Sequence, residues 1–318
     1  MRAVVQRELG PPDVLAVEDW PAPEPGAGEV LIDVEVANIT FVETQLRAGH
    51  APNPAMLRPL PYVPGNGVGG TVRAAGADVD QALVGMRVVA STGGAGAYAE
   101  QAVAQAGYVV PIPVELTTTD AVALLADGRT ALALMRSAGV RAGEAVLVEA
   151  AGGGVGSLLV QLARAEGARV LATAGARRKL DLALELGAET AVNHGDPAWP
   201  DRLEPVDVVF DGVGGAIGEA AFGLLRPGGR FCAFGLASGA FARIDEDVAA
   251  TRRVTVVRGT GLTAAESTEL TRTALELAAT GRLRPVIGQS FPLERAADAH
   301  AAMESRGTLG KTLLLVAG

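Results

Sequence analysis

One short stretch, AVLVEAAGGGVGSLLVQLARAEGA at residues 145–168, constrains the fold of this chain more than any other. An apolar run of strand character meets Gly152, Gly153, Gly154, Val155 and Gly156, and a helical pattern follows. The spacing Ala151-x-Gly153-x-x-Gly156 is that of a dinucleotide-binding turn with alanine in the first position. Glycines let the backbone turn sharply and let a pyrophosphate approach with no Cβ in the way. The helix N-terminus offers that anion unpaired N–H groups and a partial positive charge. Leu158, Leu159, Leu162 and Ala163 are the expected apolar stripe of the helix. A Gly-rich turn alone is a weak signal. Here a strand precedes it, a helix follows it, and the βαβ pattern continues.

The pattern runs from about residue 121 to 260. ARVLATAG, VDVVFDGVG, GRFCAFG and VTVVRG read as strands, and RRKLDLALELGA and AIGEAAFGLL as helices. Such alternation predicts a parallel sheet covered on both faces. The first third differs. MRAVVQ, VLAVEDW, EVLIDVEVAN, the runs at 70–74 and 85–90, and AYAEQAV at 97–103 read as short strands bounded by Gly and Pro, as in a small barrel or sandwich. The tail reads helix, helix, strand and is expected to pack back on the N-terminal part. A chain of 318 residues suits two such domains. Its net charge of -9 argues against a nucleic-acid partner. The charged N-terminus resembles no signal peptide, and no apolar run is long enough to cross a membrane, so a cytoplasmic protein is expected.

The residue at the end of the second strand selects the dinucleotide. An acid there accepts the ribose 2′-OH and repels a 2′-phosphate. That strand ends near Thr173 and Ala174 with no acid, and Gly175, Arg177, Arg178 and Lys179 follow. A basic cluster at a helix start opposes the helix dipole, and a bound phosphate relieves it. The expected cofactor is NADPH. The same chemistry disfavours S-adenosylmethionine, whose ribose usually needs an acid here.

On these residues, and on GEVLIDVEVANITFVETQLRAG, YVPGNGVGGTV, DGRTA, VDVVFDGVGG, GRFCAFG and GKTLLLV in the same order, the chain resembles the zinc-independent NADPH:quinone oxidoreductases of the medium-chain dehydrogenase/reductase superfamily. The resemblance covers the whole chain. It implies an α/β protein: a GroES-like, mostly-β catalytic domain of residues 1–120 and 261–318, plus a Rossmann domain with a doubly wound parallel sheet at 121–260. It also implies a homodimer joined around residues 254–257. By resemblance, Thr130 faces the nicotinamide, Gly153, Gly154, Val155 and Gly156 hold the pyrophosphate, and Gly175, Arg178 and Lys179 meet the adenosine end. Arg177 belongs to the same basic cluster. Phe234 and Gly235 resemble the loop over the nicotinamide half, and Gly310 and Lys311 the tail contact. His194 stands where the family has a Tyr near the adenosine phosphate; a turn histidine facing solvent is the competing assignment.

Departures from the family matter as much. Zinc-dependent relatives carry Cys at the position of Thr40 and a His-Glu pair at Asn66 and Gly67. Thr, Asn and Gly are not usual zinc ligands, and Cys232 is the only cysteine, so the donors for zinc catalysis are missing. Quinone reductases often carry Asn at Thr40 and Tyr at Gln45. Thr40, Gln45 and Asn66 are the expected substrate-pocket residues, and no catalytic acid or base is assigned. The expected reaction is hydride transfer from NADPH to a quinone or other electron-poor carbonyl acceptor. Reduction of an enone or alkenal C=C bond is the alternative, and a non-catalytic NADPH-binding sensor or structural protein is a third. Cys232, His300, Tyr62 and Tyr98 are expected in the core, Asp207 and Asp211 at turns, Asp127 and Arg129 at a helix start, and His50 near the pocket.

Overall fold

The computed structural model describes residues 1–51 and 53–316. The N-terminal part holds β1 (Arg2–Gln6), β2 (Leu15–Asp19), β3 (Glu29–Asn38), α1 (Phe41–Ala48), β4 (Gly67–Ala75), β5 (Arg87–Ser91), β6 (Gln101–Gln105) and β7 (Val109–Pro111). Helix α2 (Thr118–Ala138) leads to β8 (Ala145–Val148), α3 (Gly154–Ala165), β9 (Arg169–Ala174), α4 (Arg177–Glu185) and β10 (Thr190–Asn193). Then come β11 (Val206–Asp211), α5 (Gly215–Gly223), β12 (Leu225–Ala233), α6 (Glu246–Thr251) and β13 (Thr255–Arg258). The tail adds α7 (Ala264–Ala279), β14 (Ile287–Pro292), α8 (Ala296–Glu304) and β15 (Lys311–Leu315). Two compact units result, Met1–Arg129 with Thr263–Gly318, and Thr130–Leu262.

In the first unit β3 is the spine. It pairs antiparallel with β4 along most of its length, with β6 on its first half and with β15 on its last residues. The tail therefore does return, and β14 pairs parallel to β15 outside it. Gly70 of β4 marks the closest approach: a Cβ there would lie 2.0 Å from the Asp33 carbonyl oxygen, so only glycine fits. Val4, Val30, Ile32, Val68, Val88, Tyr98, Leu293 and Leu314 share the buried core. Burial of each large aliphatic side chain contributes about 1.5–3 kcal/mol.

The second unit is one parallel sheet in the order β10-β9-β8-β11-β12-β13. The chain moves outward from β8 through β9 to β10, then returns to β11 on the other side of β8. That reversal leaves a crevice at the carboxyl ends of β8 and β11, where ligands bind in such sheets. The Gly-rich turn follows β8 and so lies at this point.

Several elements depart from the expectations. Residues 41–48 form a helix that the strand-rich N-terminal pattern did not suggest; a capping box at Thr40 starts it and Gly49, at φ 83°, ends it. The expected strand at 97–103 begins only at Gln101. Strands β10 and β14 were not foreseen. Both are half-exposed edge strands, where the hydrophobic signal is weakest. Asp127 and Arg129 lie in the middle of α2, not at a helix start. Gly128 separates them because Ala274 of α7 packs there, 2.8 Å from where a Cβ would be. On α3, Val160 is buried while Leu162 is only half-buried. The buried face follows positions 156, 159, 160 and 163, the 3–4 spacing of one helical face, and 162 flanks it.

Candidate active site

Ala150 ends the β8 run in the left-handed region, at φ 51°, and turns the chain into the glycines. Gly153 caps α3 without a side chain, and its N–H donates to the Ala150 carbonyl at 2.9 Å. The N–H groups of Gly154, Val155 and Gly156 then form the first turn of α3 and have no intrahelical partner. Gly156 is sterically required, since a Cβ there would lie 2.3 Å from the Ala150 carbonyl oxygen. A helix N-terminus of this shape can cradle an anion.

The basic cluster lies against this cradle. A Cβ on Gly152 would come within 2.5 Å of Lys179 Cβ, so the start of α4 rests directly on the turn. A Cβ on Gly175 would lie 3.1 Å from His194 Nε2, and the His194 N–H donates to the Ala174 carbonyl. Gly152, Gly175, Lys179 and His194 are thus brought together at the ends of β9 and β10, with Arg178 beside Lys179 on the first turn of α4. Arg177 turns the other way: it is 86% exposed and hydrogen-bonded to Asp181 at 2.7 Å. Helix α4 has no side-chain cap and no acid in its first turn.

Two buried acids lie after β8 and at the end of β11. Asp211, at the end of β11, accepts the N–H groups of Val213 and Gly214 at 2.9 and 2.7 Å, and so lines a turn as expected. Glu149 follows β8 and is fully buried beside it. Both oxygens of Glu149 and Oδ2 of Asp211 meet no N–H or hydroxyl donor. Only a proton kept on Glu149 can join them, and burial, then the hydrogen bond to Asp211, push the Glu149 carboxyl well above its ordinary range. Phe234 and Gly235 pack on Gly212: Phe234 Cζ would lie 2.7 Å from a Cβ there, and a Cβ on Gly235 would lie 2.5 Å from the Gly212 carbonyl. Cys232 is buried in β12, with its thiol pushed up to about 12 by burial.

In the first unit two of the expected pocket residues, Thr40 and Asn66, meet at the Glu43 side chain. Glu43 accepts the Thr40 N–H at 2.6 Å on one oxygen and the Asn66 N–H at 2.8 Å on the other. Thr40 and Glu43 form the capping box of α1. The T-x-x-E spacing was the available signal, though it reads equally well as an ordinary helix cap. The Asn66 side chain accepts the Gly94 N–H at 2.7 Å. Gln45 is half-exposed, with its amide donating to Thr44 Oγ1 at 3.2 Å. His50 is exposed. Tyr98 and His300 are buried partners at 3.1 Å, and Tyr62 is half-buried. Thr130 is half-buried on α2. Gly310 precedes β15 at φ 56°, and the buried Lys311 ammonium is hydrogen-bonded to Asp127 at 3.0 Å.

Residues 26–114 match the alcohol dehydrogenase GroES-like domain, and residues 186–314 match a zinc-binding dehydrogenase domain. Together with the Rossmann sheet they define a medium-chain dehydrogenase/reductase. The rat quinone oxidoreductase is 35% identical over 99% of this chain and 98% of its own length. That of Pseudomonas aeruginosa is 32% identical over 96% and 97%. The chain belongs to the quinone oxidoreductase family. The Escherichia coli quinone oxidoreductase complexed with NADPH superposes with a TM-score of 0.91 at 28% identity, covering 99% of this chain and 100% of that one. A mycobacterial protein complexed with NADPH gives 0.91 at 34% identity, with the same coverage. The second of these domains is named for zinc binding. Among the described residues no three His, Cys, Asp or Glu side chains cluster as metal ligands. Among them, too, no helix is long and apolar enough to cross a membrane.

Proposed function

We propose that this protein is an NADPH-dependent reductase of quinones. The observation that carries this is the packing of Lys179 on Gly152, which sets a basic helix start directly against a pyrophosphate-binding turn. The α3 N–H groups and Gly153–Gly156 hold the pyrophosphate. Arg178 and Lys179 hold the 2′-phosphate, His194 and Gly175 border the adenosine, and Arg177, paired with Asp181, stands at the rim of this cluster. Thr130, Phe234, Gly235, Gly310 and Lys311 are the proposed contacts of the nicotinamide half, Lys311 through the Asp127 it braces.

NADPH, when bound, supplies a hydride. Thr40, Gln45 and Asn66 orient the acceptor oxygen. A quinone suits such polar, uncharged side chains because its product anion is delocalised over the ring, and orientation and exclusion of water are what the protein must add. Family membership supports the quinone over an alkenal. The test is NADPH oxidation across a panel of quinones and alkenals: turnover on benzoquinone is expected, activity on the alkenal alone would move the reading to C=C reduction, and tight NADPH binding without turnover would make this a binding protein.

A homodimer through β13 is part of the proposal. This strand is the edge of the parallel sheet, with Val256 and Val257 half-buried on it, and an open strand edge favours pairing with a second copy. Sedimentation at the mass of a monomer would contradict it.

A further inference from the structure

We infer that Arg129, assisted by Arg58, selects acceptors that carry an oxyanion group, a carboxylate or sulfonate on the quinone. The inference rests on the proposal that Asn66 orients the acceptor. Its geometric ground is separate. Ser91 of β5 is the register partner of Gly67, the residue after Asn66, and Arg129 Nη1 donates to Ser91 Oγ at 3.4 Å. The Thr92 N–H donates to the Asn66 carbonyl at 3.3 Å, and the Gly94 N–H to the Asn66 side chain at 2.7 Å. Arg58 donates to the Gly93 carbonyl. Two guanidiniums thus border the loop of residues 91–94 that is tied to Asn66.

Neither cation has an acid of its own. Arg129 is half-buried on α2, in a chain whose net charge of -9 leaves no shortage of acids. Among the described residues Arg129 has one long bond to a neutral hydroxyl and Arg58 one to a backbone carbonyl, and neither meets a carboxylate. Burial holds the Arg129 guanidinium below its ordinary pKa, and Asp127 is the acid that opposes this. Asp127, however, is bonded to Lys311 Nζ at 3.0 Å. Glu43, the other buried acid of this region, accepts the Thr40 and Asn66 N–H groups. Withdrawing a guanidinium from water is costly unless an anion pairs with it. For stability alone an apolar side chain would serve better at this position.

The forked guanidinium matches an oxyanion group in geometry as well as charge, since two N–H groups can meet two oxygens of one carboxylate or sulfonate. The Ser91 hydroxyl, which accepts from Arg129, has its own proton to donate to the same group. Thr40, Gln45 and Asn66 are left for the quinone oxygen, so the ring oxygen and the acid group have separate contacts. A neutral quinone gains only the first set, and an acidic quinone gains both. Arg58 is exposed, and its contribution is a weaker, salt-sensitive attraction.

The test compares a naphthoquinone sulfonate with the unsubstituted naphthoquinone at saturating NADPH. Their difference in intrinsic reactivity cancels when the ratio of kcat/KM for the two is compared between wild type and variants. In Arg129→Met this ratio of sulfonate over neutral quinone is expected to fall about tenfold or more, the worth of one hydrogen bond to a charged group. The loss should be carried by KM for the sulfonate. Arg129→Lys should recover part of it, and Arg58→Ala should lower the ratio less. Rising ionic strength should raise the wild-type KM for the sulfonate more than for the neutral quinone. Should Arg129→Met not fold, the salt dependence and the Arg129→Lys and Arg58→Ala variants still decide. A ratio unchanged in Arg129→Met, as a merely structural defect or a role in NADPH binding would leave it, overturns the inference alone, and so does a sulfonate KM indifferent to salt. A wild type that turns over neither quinone overturns the proposed function, and the acceptor preference with it.

Discussion

Lys311 Nζ lies 3.0 Å from Asp127 Oδ1, with the two side chains 5% and 12% exposed. The pair joins β15 to α2 across 184 residues of sequence. Removing one partner of a buried pair strands the other charge, which costs about 3–5 kcal/mol. Lys311→Met is therefore expected to lower the urea midpoint sharply. The double variant Lys311→Met/Asp127→Leu should recover most of the loss, because two apolar groups leave no charge stranded. Equal destabilisation of single and double variants would show that packing, not charge, dominates there.

Gly156 and Gly152 make a prediction that separates backbone need from side-chain chemistry. Gly156→Ala drives a Cβ to 2.3 Å from the Ala150 carbonyl oxygen, and Gly152→Ala drives one to 2.5 Å from Lys179 Cβ. Both should weaken NADPH binding by about tenfold or more, a loss of roughly 1.4 kcal/mol. Gly107→Ala, in the first unit with open space around it, should bind as wild type. Calorimetric titration checks all three.

The Glu149–Asp211 pair predicts a pH dependence of stability. Glu149 has its carboxyl raised on folding, so the folded state binds a proton that the unfolded state releases above about pH 4.3. Its contribution is complete below that pH and is lost as pH rises through the folded value. Wild-type stability should therefore fall toward alkaline pH more steeply than that of Glu149→Gln, whose amide can donate to Asp211 without titrating. Parallel stability-versus-pH curves would refute the shared proton.

Cys232 should be inert while the protein is folded. Its thiol is fully buried and pushed up to about 12, and the thiolate is the reactive form. Alkylation with a thiol reagent is expected only on unfolding, with one equivalent taken up. Prompt labelling of the native protein would contradict this placement.

The Gly-rich turn after β8 was legible in the sequence because its spacing is a backbone requirement. Gly156 must be glycine because the Ala150 carbonyl, only six residues back, leaves no room for a Cβ, and an acid-free strand end followed by Arg178 and Lys179 is local chemistry. Glu43 was not legible. Its neighbours Asn66, Tyr98, His300 and Lys311 come from distant segments, and the local signal, Thr40 three residues before it, marks any capped helix. Glu149 was hidden in the same way: an acid ending an apolar strand means little until Asp211 is seen on the adjacent strand. The edge strands β10 and β14 escaped because half-exposed residues held by backbone pairing leave little hydrophobic pattern. Arg177 shows the limit of reading charge as a block, since Asp181, one helical turn on, claims it.

The most direct measurement is the ratio of kcat/KM for NADPH over NADH with benzoquinone as acceptor, in the wild type and in Arg178→Ala/Lys179→Ala. A wild-type preference for NADPH of about tenfold or more, collapsing in the double variant, is the predicted result; one phosphate-clamping interaction is worth about 1.4 kcal/mol or more at that ratio. Equal use of the two cofactors by the wild type, or a preference untouched by the double variant, would contradict the assignment of this turn and its basic helix start to NADPH.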